Sequence, residues 1–220
     1  EVRAEVLGRL DACEAEHDVQ IVYCAESGSR AWGFASPDSD YDVRFIYVRP
    51  RDWYLSFDVE RRRDVIEYPI VDEIDINGWD LRKALYLFTR TNGALLEWLA
   101  SPIVYRDVGD VAERMRTLAP AIISPTALCY HYSHMARGNA TQFLGSDSVR
   151  LKKYFYVLRA LFAIRWIEAD RGVPPVPFEL LLDAVAPRPV AREVRALLDR
   201  KRSMPELGTG PRNDVLNDFI

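Results

Sequence analysis

Asp40 and Asp42 stand two residues apart at the start of the apolar segment YDVRFIYV, residues 41–48, and this spacing could serve phosphoryl chemistry. Side chains two residues apart on a strand point the same way, so the pattern predicts two neighbouring carboxylates. A hard divalent cation, Mg²⁺ or Mn²⁺, would offset their repulsion because such ions prefer carboxylate oxygens. The alternative is a turn with solvated carboxylates, since PDSD consists of turn-forming residues.

A third acid would complete such a site. Asp75 lies in the strand-like segment EIDI, with Ile74 and Ile76 on the opposite face. If this strand lies beside the first, three carboxylates can surround two metal ions, as in-line displacement at phosphorus requires. Glu73 on the same face and Glu67 in another predicted strand remain alternatives.

Gly28 and Ser29 follow a predicted strand and precede a short helical stretch that begins with Arg30. Glycine lets backbone N–H groups approach a phosphate, while serine adds a hydroxyl and arginine a positive charge. A phosphate-binding loop is therefore predicted eleven residues before Asp40, and this combination favours the chemical interpretation of the two aspartates over a plain turn.

The run SGSRAWGFASPDSDYDVRFIYV resembles the signature of the DNA polymerase β-like nucleotidyltransferase superfamily, in which Gly-Ser is followed by Asp-x-Asp in a strand. Together with DINGWDLRKAL and LLEWLASPIVY, it resembles a bacterial group of predicted nucleotidyltransferases described as an RNA-ligase-associated polymerase-β-like family. The resemblance implies triphosphate binding by Gly28 and Ser29. It also implies Asp40 and Asp42 as catalytic metal ligands and Asp75 as the third acid.

Further cations are candidates for binding the nucleotide. Arg44 shares the face of the two aspartates, either as an ion-pair partner or as a phosphate ligand. Lys152 and Arg159 flank an apolar helical stripe, and they form either a solvated face or a set of triphosphate ligands. Arg61–Arg63 is interpreted as a solvated loop. His131 and His134 do not have the further ligands that a zinc site needs, so no zinc is predicted.

The predicted elements suggest an α/β (α+β) nucleotidyltransferase core with a mixed β-sheet, followed by an all-helical C-terminal domain. The core is assigned to residues 1–78 and the helical domain, which would close over the nucleotide, to residues 79–220. Periodicity predicts strands and helices along both parts. The strands are at 20–25, 41–48, 65–68 and 73–76; the main helices begin near 2, 80, 125 and 149.

Composition limits the choice of partners. The formal net charge is −4, from 29 basic and 33 acidic residues, so the chain does not have the basic surplus typical of proteins that bind nucleic acid without specificity. Three separated cysteines suggest reduced thiols. The charged N-terminal stretch is unlike a signal peptide, and no apolar run is long enough to span a membrane. A cytoplasmic protein with no membrane partner is expected.

The sequence therefore predicts a two-metal nucleotidyltransferase that moves a nucleoside monophosphate from an NTP, expected to be ATP, to a hydroxyl acceptor. The acceptor could be a small molecule, a protein or an RNA end. Two alternatives stay open: a template-independent RNA-end polymerase, and a nucleotide-binding regulator or antitoxin-like partner without turnover.

Overall fold

The computed structural model describes residues 1–203 and 207–220, which fall into two compact units. The sheet unit comprises residues 1–31 and 40–122, and the helical unit comprises residues 32–39 and 123–220. The chain thus leaves the sheet unit after Ala31, contributes eight residues to the helical unit, and returns at Asp40.

The sheet unit is built on a five-stranded mixed sheet in the order β3-β4-β2-β1-β5. Only β2 and β4 pair in parallel; the other neighbours are antiparallel. The strands are β1 (Gln20–Glu26), β2 (Tyr41–Val48), β3 (Val65–Glu67), β4 (Ile74–Asp80) and β5 (Val104–Asp107). The helices are α1 (Val2–His17), α2 (Gly28–Ala31), α3 (Arg51–Tyr54), α4 (Leu81–Thr89), α5 (Gly93–Leu99) and α6 (Val111–Ile122), and a single 3₁₀ turn covers Val59–Arg61.

The core of the sheet unit follows from the apolar periodicity of its elements. Val6, Leu10 and Cys13 recur at helical spacing along α1 and are buried in one cluster with apolar residues of the sheet. Each fully buried aliphatic side chain contributes about 1.5–3 kcal/mol relative to an exposed one. In β4, Gly78 lies so close to Phe45 that an added Cβ would stand 2.1 Å from the ring. Packing against Phe45 therefore explains a glycine inside a strand.

In the part of the chain that the structure describes, the helical unit consists mainly of five helices, with one pair of short strands. The helices are α7 (Pro125–Phe143), α8 (Lys152–Glu168), α9 (Phe178–Val185), α10 (Arg188–Ser203) and α11 (Asp214–Phe219), and the strands are β6 (Ser148–Arg150) and β7 (Thr209–Pro211). Helix α7 begins as predicted, with the side chain of Ser124 accepting the N–H of Ala127 and Pro125 at its first position. Segment 32–39 packs on this unit through Phe34, whose ring centroid is 5.0 Å from that of Phe155.

The predicted fold class is confirmed: a mixed-sheet α/β core is combined with a helical C-terminal region. The compact units nevertheless divide the chain differently from the boundary predicted at residue 78. That residue lies inside β4, whose last residue Asp80 is also the N-cap of α4, and α4 to α6 belong to the sheet unit. Among the described residues, no helix has both the length and the apolar character needed to cross a membrane.

Candidate active site

The parallel pairing of β2 with β4 brings together two of the predicted acids. Asp42 is the second residue of β2, and the register places it opposite Asp75, the second residue of β4. The two strands thus present both carboxylates at the same level of the sheet. The condition stated from the sequence, that the strand of Asp75 lies beside the strand of Asp42, is met.

Arg44 lies between these two carboxylates. Its Nη2 is 3.0 Å from Asp42 Oδ1 and 2.6 Å from Asp75 Oδ2. Its Nη1 donates hydrogen bonds to the backbone carbonyls of Asp75 at 2.9 Å and Val43 at 3.1 Å. The side chain of Arg44 is 17% exposed and those of Asp42 and Asp75 are 31% and 27% exposed, so water screens these ion pairs only in part. Of the two roles considered for Arg44, the structure shows the ion pair.

The backbone of Asp42 is held on both sides by the end of β1. The Asp42 N–H donates to Glu26 Oε1 at 2.7 Å, and the Asp42 carbonyl accepts from the Ser27 N–H at 2.8 Å. Glu26 is completely buried, and its other carboxylate oxygen accepts a hydrogen bond from the Tyr105 hydroxyl. Sequence reasoning missed Glu26; its signal was an acid directly after an apolar strand and before Gly-Ser.

Position 28 requires a glycine, both because of the local backbone conformation and because it lies next to Asp42. Its φ is +58°, a left-handed conformation that other residues adopt at a cost, and an added Cβ would stand 1.9 Å from Asp42 Oδ2. The loop predicted to bind phosphate therefore packs directly against the acid predicted to bind metal. Ser29 follows in α2 and is partly exposed.

Burial governs the ionisation of this region. It raises the pKa of the Asp42 carboxyl; Arg44 counteracts this, whereas Asp75 and Asp40 add to it. Burial also raises the pKa of Glu26, while the hydrogen bonds from Tyr105 and from the Asp42 N–H act in the opposite direction. A cation beside Asp42 would favour its charged form.

Asp40 and Arg30 lie at the edge of this arrangement. Asp40 is exposed and precedes β2, which begins at Tyr41. The Nε of Arg30 donates to the backbone carbonyl of Asp40 at 3.2 Å, and its guanidinium lies 3.6 Å from the centre of the Tyr41 ring. The structure therefore fixes the backbone of Asp40 next to Arg30.

The two alternative third acids are placed elsewhere. Glu73 is exposed, precedes β4 and has a φ of +63°. Glu67 is paired with Arg63 at 2.7 Å on β3. Of these three acids, only Asp75 contacts Arg44, which also contacts Asp42; the assignment of Asp75 as the third acid remains a prediction.

Lys152 and Arg159 belong to the helical unit, on α8. Lys152 is partly exposed, whereas Arg159 is 1% exposed, with its guanidinium carbon 4.6 Å from the Trp32 ring centre and Nη2 donating to the Val176 carbonyl at 3.4 Å. The structure thus places Arg159 in the core of the helical unit, and neither a solvated face nor direct contact with a triphosphate fits this position.

The oxygen chemistry of Asp42 and Asp75 suits a hard divalent cation, and the guanidinium between them shows that this spot favours positive charge. Across residues 1–203 and 207–220, no three His, Cys, Asp or Glu side chains are grouped so that they could hold a metal ion. Asp42 and Asp75 by themselves offer carboxylate oxygens that suit such an ion. Asp40 as a metal ligand remains a prediction.

Comparison with known proteins finds similarity along nearly the whole chain. A protein of Bacillus subtilis (strain 168) named "Uncharacterized protein YcgL" is 47% identical over 220 residues, which are 100% of this chain and 84% of that protein. The model of the RNA repair pathway DNA polymerase beta family matches residues 2–220. That match, over nearly the whole chain, supports a nucleotidyltransferase-like function, and the chain belongs to the RNA repair pathway DNA polymerase beta family.

Proposed function

We propose that this protein is a metal-dependent nucleotidyltransferase that transfers a nucleoside monophosphate from an NTP, with ATP as the expected donor, to a hydroxyl acceptor. One observation carries the proposal: Asp42 and Asp75 face each other across parallel strands while Gly28 packs against the Asp42 carboxylate. An acid pair and a phosphate-binding loop in contact are what nucleotidyl transfer requires.

In the proposed reaction, the acceptor oxygen attacks the α-phosphorus of the NTP. The bond from that phosphorus to the oxygen bridging to the β-phosphorus breaks, and pyrophosphate leaves with the electron pair. Asp75 is assigned to accept the hydroxyl proton at a carboxylate oxygen. Gly28, Ser29 and Arg30 are assigned to hold the phosphates that leave.

Asp42 and Asp75, with Asp40 as a further predicted ligand, would hold Mg²⁺ or Mn²⁺, which would supply positive charge to the phosphates during the transfer. The chain's own contribution is to keep these oxygens in place before substrate arrives. The Glu26 and Ser27 contacts to the Asp42 backbone achieve this for β2, and the parallel register does so for β4. Such preorganisation is how enzymes of this kind reduce the activation barrier.

The family description favours an RNA end as the acceptor, because it refers to an RNA repair pathway. The net charge of −4 argues against broad, non-specific binding of RNA. A 3′-hydroxyl at the end of an RNA strand is therefore one candidate acceptor. Small molecules and proteins are the others.

The test is incubation of the full chain with each α-labelled NTP, Mg²⁺ or Mn²⁺, and one of three acceptors: an RNA ending in a 3′-hydroxyl, the same RNA ending in a 3′-phosphate, or a cell extract. Label should enter an acceptor with the wild type and fall by at least about a hundredfold with Asp42→Asn. Asp38→Asn, an exposed aspartate four residues earlier, is the matched control and should keep activity.

Thermal melting adds a test that needs no acceptor. NTP together with Mg²⁺ should raise the melting temperature more than either alone, because a ligand that binds only the folded state stabilises it. Equal shifts in excess EDTA would contradict a metal-linked site. NTP binding without label transfer to any acceptor would favour a regulatory protein over an enzyme.

A further inference from the structure

The sheet fixes Arg44 between the two carboxylates that are proposed to bind the metal ion. It lies two residues after Asp42 on β2, so both side chains share a face, and Asp75 stands opposite Asp42 on β4. One nitrogen, Nη2, contacts a carboxylate oxygen of each acid. The arginine therefore occupies the position between the carboxylates, while its Nη1 rests on two backbone carbonyls.

In the protein without ligand, Arg44 reduces the electrostatic repulsion between Asp42 and Asp75. Two half-buried carboxylates on adjacent strands repel each other, and a guanidinium shared between them removes most of that repulsion. A divalent cation held by the same two carboxylates, at about 2.0–2.1 Å from their oxygens, would lie close to the guanidinium and repel it. Arg44 and a metal ion therefore cannot both occupy the position between the two carboxylates.

We propose that Arg44 is an exchangeable counter-ion: it holds Asp42 and Asp75 together before metal binds, and it turns from them to the phosphates of the NTP when metal binds. This inference rests on the proposed function. Metal alone would bind weakly, because displacing Arg44 leaves a partly buried guanidinium without its acids. Nucleotide phosphates offer that guanidinium new acceptors, so metal and nucleotide should strengthen each other's binding.

The test is Mn²⁺ binding to the full-length protein, followed by electron paramagnetic resonance, with and without a non-hydrolysable ATP analogue. Without nucleotide, Arg44→Gln should bind Mn²⁺ at least about tenfold more tightly than the wild type. The analogue should increase Mn²⁺ affinity less in Arg44→Gln than in the wild type. Arg44→Lys keeps the charge and should stay close to the wild type.

Arg63→Gln is the matched control, because it removes one positive charge from a side chain that is 70% exposed; its Mn²⁺ affinity should stay within about twofold of the wild type. Melting curves verify folding, and Arg44→Met takes the place of Arg44→Gln if the latter is unfolded. Equal Mn²⁺ affinities of the wild type and the neutral Arg44 variant would overturn the inference.

Asp42→Asn separates the two possible failures. If Asp42→Asn weakens Mn²⁺ binding while the neutral Arg44 variant does not strengthen it, the metal site stands and the counter-ion role is wrong. If neither the wild type nor the neutral Arg44 variant binds Mn²⁺, or if Asp42→Asn binds it as the wild type does, the metal site fails and the inference fails with it.

Discussion

Two charged clusters of this protein are built in opposite ways. In the sheet unit, Asp42 and Asp75 share the guanidinium of Arg44, so opposite charges alternate. At the start of α8 in the helical unit, Lys152 and Lys153 follow Arg150, and the ammonium of Lys153 lies 4.1 Å from the centre of the Phe143 ring. Burial lowers the pKa of Lys153, and both Lys152 and Arg150 lower it further.

The difference lies in the charges that stand next to one another in each cluster. In the acidic cluster, one guanidinium compensates part of the charge of two carboxylates, so under our proposal the binding of a cation there is an exchange with Arg44. In the basic cluster, like charges stand next to one another at a helix N-terminus, where the helix dipole adds positive potential. We therefore expect the acidic cluster to respond to metal ions more strongly than the basic cluster does.

The largest effect is expected where one member of the acidic cluster is lost. Asp75→Asn should reduce label transfer by at least about a hundredfold, because it removes the assigned proton acceptor. NTP binding, measured by titration, should remain largely intact because Asp42 is still present. Glu73→Gln is the control on the same segment and should keep activity, since Glu73 is exposed outside β4. The reverse result would make Glu73 the third acid.

A substitution at Gly28 would displace the Asp42 carboxylate without changing the charge of the acidic cluster. Gly28→Ala should lower the free energy of unfolding by more than the about 1–2 kcal/mol that a left-handed backbone costs, because the new methyl group would meet Asp42 Oδ2. Label transfer should fall as well. Gly33→Ala provides the control: its φ is +83°, but no atom lies within 4 Å of an added Cβ. Equal unfolding energies for the two variants would contradict the contact with Asp42.

The cations of α8 should separate by burial. Arg159→Ala removes a large buried side chain that lies over Trp32, so the free energy of unfolding should fall by about 2–4 kcal/mol. Lys152→Ala should change stability by less than about 0.5 kcal/mol. If Lys152 contacts the triphosphate, its loss should weaken NTP binding by about 1.5–3 kcal/mol. Unchanged NTP affinity in Lys152→Ala would remove Lys152 from the nucleotide site.

Local patterns were sufficient to predict the strands that carry Asp42 and Asp75. The apolar segment behind Asp42 and the isoleucines on either side of Asp75 indicated two strands, and the structure pairs these strands in parallel. The stripe of α8 was equally readable: Phe155 and Leu158 are completely buried. In both cases the pattern reflects a periodicity of 2 or 3.6 residues that the fold preserves.

Long-range packing could not be read in the same way. Helical periodicity predicts that Arg159 flanks the apolar stripe of α8. It does not reveal that Trp32, far away in the chain, covers the Arg159 guanidinium. Strands β6 and β7 were missed since Val149 pairs with Gly210 across about sixty residues. The change of pattern from strands to helices predicts a domain boundary at residue 78, whereas α4 belongs to the same compact unit as the sheet.

The smallest effect concerns the buried acid that holds the Asp42 backbone. The folded-state pKa of Glu26 is raised above its ordinary value of 4.5, mainly by burial, so the folded protein binds this proton more tightly than the unfolded chain. The stability linked to Glu26 is therefore fully present below pH 4.5 and is lost as the pH rises through the folded-state pKa. Glu26→Gln should remove this loss because an amide does not titrate in this range. The local structure should be kept, since Oε1 can still accept the Asp42 N–H and the amide can donate to the Tyr105 hydroxyl.

Chemical denaturation of the wild type and Glu26→Gln between pH 4.5 and pH 7.5 measures this effect as the difference in slope of unfolding free energy against pH. Tyr105→Phe is the matched variant: it keeps the carboxylate but removes a hydrogen bond that lowers its pKa, so stability should decrease more steeply than in the wild type as the pH rises. Equal slopes in all three proteins would mean that the Glu26 carboxyl titrates alike in the folded and unfolded chains. Because the Asp42 N–H keeps its acceptor in Glu26→Gln, label transfer should change less than in any variant of Asp42, Asp75 or Gly28.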